Sequence, residues 1–453
     1  MKQATKFTAF LLAALLLLAP LPAFADAAVP GDLLISPAPV SPAPVSTVDY
    51  YRSNKTLSDW WEVLALTAAG VDVKAEGFVL PELNGDALLA SGSASALAKA
   101  ILSLGSVGEN PRLYFGGTAD RDLVRALAAL QGENGAFGLY LNEQIYAMIA
   151  LELTDPSAYD RDMAIVYLCS CRLADGGFAY FGEVGDVDLT AMALLALQYF
   201  RGDKIAEDAI ESAAAFLVSA MSEDGSYPSA WEPGVAPSES ISAAISGLVA
   251  VGKDMTAEPY AKLARKLAEY KTADGGYAHA LGEESANLYA TYQALLAESE
   301  LNSGASAYAS FACDCSAADA IFTDGATVGT AAKAFETLYN RGIIVGRPVR
   351  NAAADEALSF AELLVMLDRC TGAETVDAEA AVWYGGALAR LAETAGINAE
   401  IFDATATVSL AAFYQIVSDV LSAQITGSFA DSAAITRGEA AVSLVAILEG
   451  AGK

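Results

Sequence analysis

Asn134-Gly135-Ala136-Phe137, Asp175-Gly176-Gly177-Phe178, Asp224-Gly225-Ser226-Tyr227 and Asp274-Gly275-Gly276-Tyr277 are four copies of one turn, spaced 41 to 50 residues apart. A fixed period of that length marks a repeat architecture with one helical hairpin per unit. In each copy the glycine permits positive φ after a helix, and the following aromatic is placed to pack back onto the hairpin. Repeated hairpins build a helical toroid or solenoid, so function is to be sought in the space they enclose.

Outward from these turns, stretches rich in Ala and Leu and poor in charge run over 58–70, 93–104, 142–153, 186–200, 238–251 and 284–299. Between them lie mixed, amphipathic segments at 119–131, 157–172, 204–220 and 257–270. A helix apolar on all sides must be buried, whereas one with a polar stripe can face water. The alternation predicts an inner ring wrapped by an outer one: an all-α fold, an (α/α)6 toroid over residues 49–305. The first two outer partners are the hardest to see, and segment 72–90 carries the weakest pattern.

Lys2 and Lys6 precede the apolar run Phe10 to Leu18, and Ala23-Phe24-Ala25 supplies small residues at a cleavage position. This reads as a signal peptide over 1–25, which predicts export. Residues 26–48, with Ser36-Pro37-Ala38-Pro39-Val40 duplicated at 41–45, read as an extended Pro-rich linker. No later segment offers the ~20 apolar residues that a transmembrane helix needs. The formal net charge of −30 argues against nucleic acid as a partner and against anionic lipid surfaces. Cysteines form two C-x-C pairs, Cys169/Cys171 and Cys313/Cys315, plus Cys370. Structural zinc sites use wider spacing, so no metal site is expected; partial burial or a disulfide between the pairs is.

Gln131, Gly135 and Phe137 share the spacing of the Q-x3-G-x-F/W repeat of squalene cyclases and prenyltransferases. Residues 50–300 thus resemble the alpha/alpha-toroid superfamily, including secreted bacterial members similar to the cobalamin-carrier toroid. That fold hosts cyclases, transferases and pure binders, so the likeness speaks to fold and not to activity. The carrier likeness implies a corrinoid ligand, although the smaller β domain of such carriers is not recognisable; no cofactor is expected otherwise.

Beyond residue 318 the period changes. Phe322-Thr323-Asp324, the run ending Gly342-Ile343-Ile344-Val345-Gly346, and Ile435-Thr436-Arg437-Gly438-Glu439 resemble an S-layer homology (SLH) module. Leu358-Ser359-Phe360-Ala361-Glu362 and Val408-Ser409-Leu410-Ala411-Ala412 echo the last of these, and Trp383 with Gly396-Ile397 marks a second opening half. The resemblance implies a smaller helical region at 318–453 that binds cell-wall polysaccharide through Arg437 and Glu439. Phe360 and Leu410 stand where the other two slots would carry arginine.

Asp186-Val187-Asp188-Leu189-Thr190-Ala191 resembles the D-x-D-D-T-A motif of protonating triterpene cyclases. The resemblance implies Asp188 as general acid with Asp186 beside it, although Leu189 replaces the motif's last carboxylate. Read from the residues alone, Asp188 caps an inner helix. His279, the one histidine, reads as an isolated loop residue. Aromatic and polar groups near the inner-helix starts form a candidate ligand-binding set: Trp60, Trp61, Gln144, Tyr146, Asp188, Glu239, Asn287 and Tyr289. The function expected is that of a secreted protein at the cell surface whose toroid binds a small molecule, glycan or protein ligand. The alternative is a terpene-cyclase-like isomerase or lyase.

Overall fold

The computed structural model describes residues 46–450, except 117, 312, 348–349, 373–381, 426, 428 and 430–432. The signal peptide expected at 1–25 and nearly all of the linker expected at 26–48 lie outside the described residues. Helix begins already at Thr47, which is buried, so the last two linker positions belong to the folded region. Among the described residues every regular element is helical, with 18 α-helices and only isolated β-bridges.

The first twelve helices are α1 (Thr47–Ser53), α2 (Trp60–Ala68), α3 (Gly85–Ser91), α4 (Ala94–Ser106), α5 (Leu123–Ala128), α6 (Leu141–Thr154), α7 (Arg161–Ser170), α8 (Val187–Leu197), α9 (Lys204–Ala220), α10 (Ser238–Ala250), α11 (Ala261–Ala268) and α12 (Leu288–Ser303). The even-numbered helices are the low-charge ones. In α8 nearly every residue from Leu189 onward is buried. In α9 burial follows the stripe Ala206, Ala209, Ile210, Ala213, Ala214 and Leu217, as expected for a helix with one wet face.

Packing follows from that division. α2 packs on α4, α4 on α6, α6 on α8, α8 on α10, α10 on α12, and α12 returns to α2. The cycle is stitched where its ends meet: Ser299 Oγ donates to Ala68 O at 2.6 Å, and Thr47 Oγ1 to Glu298 at 2.7 Å. The odd-numbered helices lean on the outside, and the two missing partners are α1, on α12, and the short α3, on α4. Gly247 lets α10 approach α8 closely, since a Cβ there would stand 2.5 Å from Ala191 O.

The four turns do what their spelling predicts. Gly135, Gly176, Gly225 and Gly275 all have φ between 83° and 94°. Phe137, Phe178, Tyr227 and Tyr277 are buried. At Gly176 and Gly225 a Cβ would also stand 2.8 Å from Ser212 O and 2.9 Å from Lys262 O, so the turn lies against the backbone of the next outer helix. Gln131 completes the motif by exchanging two 2.8 Å hydrogen bonds with the Asp160 backbone at the start of α7.

The remaining helices are α13 (Ala318–Ile321), α14 (Ala332–Asn340), α15 (Phe360–Cys370), α16 (Gly385–Leu391), α17 (Leu410–Leu421) and α18 (Arg437–Gly450), around a second core. The three similar slots of the sequence meet at one point. Leu358 N–H donates to Ile435 O, Ile435 N–H to Val408 O, and Val408 N–H to Leu358 O, each at 2.9 Å. From this closed triangle α15, α17 and α18 depart, with Phe360, Leu410 and Arg437 as their first residues.

The described residues belong to one compact unit. A buried ion cluster joins its two cores. Arg112 pairs with Asp122 at 2.9 Å and Asp155 at 2.5 Å, and Arg350 pairs with Asp122 at 3.0 Å. Tyr339 Oη donates to Asp122 at 2.7 Å and Asn340 Nδ2 to Asp155 at 2.8 Å. Two arginines balance two aspartates, which keeps so much buried charge tolerable.

Candidate functional site

The helix cycle surrounds a cavity of about 200 Å³ that is partly open to solvent. Its wall is drawn from every inner helix but α4: Trp61 from α2, Tyr146 from α6, Asp188, Met192 and Leu195 from α8, Glu239, Ser242 and Ser246 from α10, and Tyr292 and Leu296 from α12. One end is stopped by a 3-10 segment, Ala307–Phe311, which packs on α2, α4, α6 and α12 and sends Tyr308 into the cavity. A hydrogen bond between Tyr308 and Tyr146 fixes that end.

Asp188 is the decisive residue. It does not cap α8, as the residues alone suggested; Asp186 does, its Oδ1 accepting from Leu189 N–H at 2.8 Å. Asp188 comes two residues later and turns inward. The residue as a whole is partly exposed, yet its Oδ1 is shut off from solvent with no hydrogen-bond partner. Burial lifts its pKa to about 6, with Asp186 and Glu239 adding to the rise and a Ser240 hydrogen bond opposing it. Leu189 is fully buried and apolar, so the third carboxylate near Asp188 is Glu239 of α10 and not a neighbour in the motif.

Glu239 is tied to the one histidine. His279 Nδ1 lies 3.0 Å from both Glu239 carboxylate oxygens, and Nε2 lies 3.4 Å from Glu232. Burial works against a charged imidazole, but the two carboxylates outweigh it and raise the His279 pKa. The isolated loop histidine expected from the sequence is thus a half-buried partner of a cavity residue.

Of the candidate ligand set, Trp61, Tyr146, Asp188 and Glu239 line the cavity. Trp60 is instead core, because neighbours on a helix point about 100° apart. Gln144 is buried and spent on the turn, accepting from Phe137 N–H at 2.7 Å and donating to Gly135 O and Ala164 O. Asn287 caps α12. Tyr289 is half-exposed and meets Tyr292 edge-on, with ring centroids 5.9 Å apart. Sequence reasoning missed Tyr308, which follows the last repeat, and Ser246, one of four serines in α10.

A second concavity, of about 440 Å³, lies in the C-terminal region between Ile343–Gly346, α15 and the start of α18. Arg347, Arg369, Arg437 and Trp383 line it with Glu362. Glu362 Oε1 receives Arg437 at 2.5 Å and Arg347 at 2.9 Å, so two guanidinium groups share one carboxylate, while Arg369 donates to Ile343 O at 3.0 Å. Burial alone would lift the Glu362 pKa, but Arg347 and Arg437 hold it below the ordinary glutamate value. Glu439 is not part of this groove: its Oε2 accepts from Thr436 N–H at 2.9 Å and closes the first turn of α18.

Among the described residues no helix is long and apolar enough to cross a membrane, and no group of three or more ligating side chains could hold a metal ion. The cysteines are free thiols, and Cys313 faces Cys315 at 3.2 Å rather than the Cys169/Cys171 pair. No protein-family model matches the chain, and no curated protein is significantly similar to it.

Proposed function

We propose that this chain is a secreted, cell-surface protein that binds a small ligand inside its helix cycle and is held to wall polysaccharide by its C-terminal region. The observation that carries the reading is the cavity between the inner helices, walled by aromatic side chains and holding one unsatisfied carboxylate oxygen on Asp188. Apolar walls with a few oriented polar groups are the general recipe of a ligand site. The closed order of six inner helices supports the resemblance to alpha/alpha toroids. A cavity of about 200 Å³ favours a compact ligand over a corrinoid, whose macrocycle is far larger.

The wall-binding half rests on the second concavity. Three arginines beside an exposed tryptophan suit an acidic sugar, with guanidinium groups on carboxylates and the indole against a ring face. The hydrogen-bonded triangle of Leu358, Val408 and Ile435 supports reading 318–453 as three divergent SLH slots. Only the slot of Arg437 keeps its arginine, so one groove serves where three positions exist.

Two measurements test this. Small molecules released by denaturing the purified protein are identified by mass spectrometry, beside those from Ala243→Phe, which fills the cavity from a lining position on α10. A compound present in the parent and missing from the variant supports the reading; identical extracts contradict it. Co-sedimentation with purified cell wall is expected to fall several-fold for Arg437→Ala and for Trp383→Ala, and equal retention of both variants removes the wall-binding half.

A catalytic reading has one observation behind it, the raised pKa of Asp188. It makes Asp188 the acid of a cyclase-like isomerase. Turnover of a squalene-type substrate by the parent and its loss in Asp188→Asn support that reading, and an inert parent ends it.

A further inference from the structure

We infer that the cavity is built for a small protonated amine, whose N–H is accepted by Asp188 Oδ1 and whose charge is faced by the rings of Trp61, Tyr146 and Tyr292. The inference rests on the ligand-binding reading above and names the chemical class of the ligand.

Tyr146 and Tyr308 satisfy one another. Ser246 is engaged by Glu300, and Ser242 Oγ donates to Ser238 O at 2.9 Å. Ser240 serves the Asp188 carboxylate, but Oδ1 is left with no donor. A buried carboxylate oxygen without a partner is costly, and its removal from water is repaid only by a donor, best a charged one. The hydroxyls of Tyr146, Tyr308, Ser242 and Ser246 are spent elsewhere, so a ligand N–H is the donor this oxygen lacks.

Charge decides the kind of donor. The lining residues include Asp188 and Glu239 but no lysine or arginine. The nearby cations are already committed: His279 to Glu239, and Lys99 to Asp59 at 2.7 Å. An anion would therefore meet the uncompensated Asp188 carboxylate, while a cation supplies the missing countercharge.

The rings fit the same answer. Trp61 and Tyr146 stand 5.2 Å apart at 46°, a tilted corner rather than a stack. Aromatic faces carry negative potential and attract ammonium groups, most strongly where water is excluded. Trp61 already serves one cation, since Lys99 Nζ lies 5.6 Å from its ring centroid. Met192, Leu195 and Leu296 leave room for a hydrocarbon body.

Three probes of one shape isolate the charge: cyclohexylammonium, cyclohexanol and cyclohexanecarboxylate, each titrated calorimetrically into the purified protein at pH 7.5. The ammonium ion is expected to bind at least tenfold more tightly than the alcohol, and the carboxylate not to bind. Asp188→Asn is expected to erase the preference for the ammonium ion while alcohol binding persists, which shows that the cavity is intact. Equal affinity for ammonium and alcohol overturns the inference but leaves a cavity that binds by shape. If none of the three binds, the inference also fails, and the extraction experiment with Ala243→Phe decides separately whether the cavity holds a ligand at all.

Discussion

His279 and Glu239, 40 residues apart in sequence, share a two-pronged contact in which Nδ1 lies 3.0 Å from each carboxylate oxygen. The pair locks the loop after the fourth turn onto the first turn of α10, at the edge of the cavity. Its energetics depend on pH in a definite direction. The folded-state pKa of His279 is raised. The pair's contribution is therefore fully present below the unfolded imidazole value and is lost as pH rises through the folded one. His279→Gln is expected to lower the melting temperature more at pH 5.5 than at pH 9. An equal effect at both values means that the contact is not an ion pair.

Asp188 behaves in the opposite sense to most acidic side chains. Its folded pKa of about 6 exceeds the unfolded carboxyl value of 3.8, so the native state binds the proton more tightly. Stability is lost as pH rises across that window, by on the order of 3 kcal/mol when complete. The groups that face it are Asp186 on its own helix and Ser240 and Glu239 from α10, with His279 beside Glu239 and Tyr180 in the preceding loop. Asp188→Asn is expected to raise the melting temperature at pH 7.5 and to change it little at pH 4. A variant destabilised alike at both values contradicts the idea of a carboxylate kept at a cost.

The repeat turns give a prediction about backbone. At Gly176, φ is 90° and a Cβ would stand 2.8 Å from Ser212 O. Gly176→Ala therefore adds left-handed strain to a collision with a helix that cannot move freely, and a loss of ~2 kcal/mol or more is expected in urea unfolding. A neutral substitution would show that the turn does not bear on α9.

The ion cluster between the two cores predicts how the protein unfolds. Asp122 receives Arg112, Arg350 and Tyr339 with no exposure to water. Asp122→Ala leaves two buried guanidinium groups short of a countercharge, which costs ~3–5 kcal/mol in comparable cases. Thermal unfolding of the parent is expected as one transition, and that of the variant as two. Two transitions in the parent would show that the cluster does not couple the cores.

Much of the fold was legible because it rests on short-range rules repeated many times. The Asn/Asp-Gly-x-aromatic turns and the contrast between α8 and α9 give helix positions and sides directly. α1 and α3 were harder to see because 7-residue helices carry too few turns to show a stripe. The cavity was half legible. Polar residues near helix starts could be picked out, but not which of them a backbone would claim. Gln144 and Asn287 are consumed by turn and cap, whereas Asp188 is spared because Asp186 takes the capping role. Trp60 and Trp61 differ only in the direction they point. Tyr308 and the His279–Glu239 pair depend on how the ends of the ring come together, which no local pattern encodes.

The most direct test of the account is the electron density of the protein as purified, in crystals resolved well enough to place single waters in the space between Asp188, Trp61 and Tyr292. The account predicts a compact non-water molecule there, with a nitrogen within hydrogen-bond distance of Asp188 Oδ1. Ordered waters alone, or rings collapsed onto one another with Asp188 turned to solvent, would contradict it.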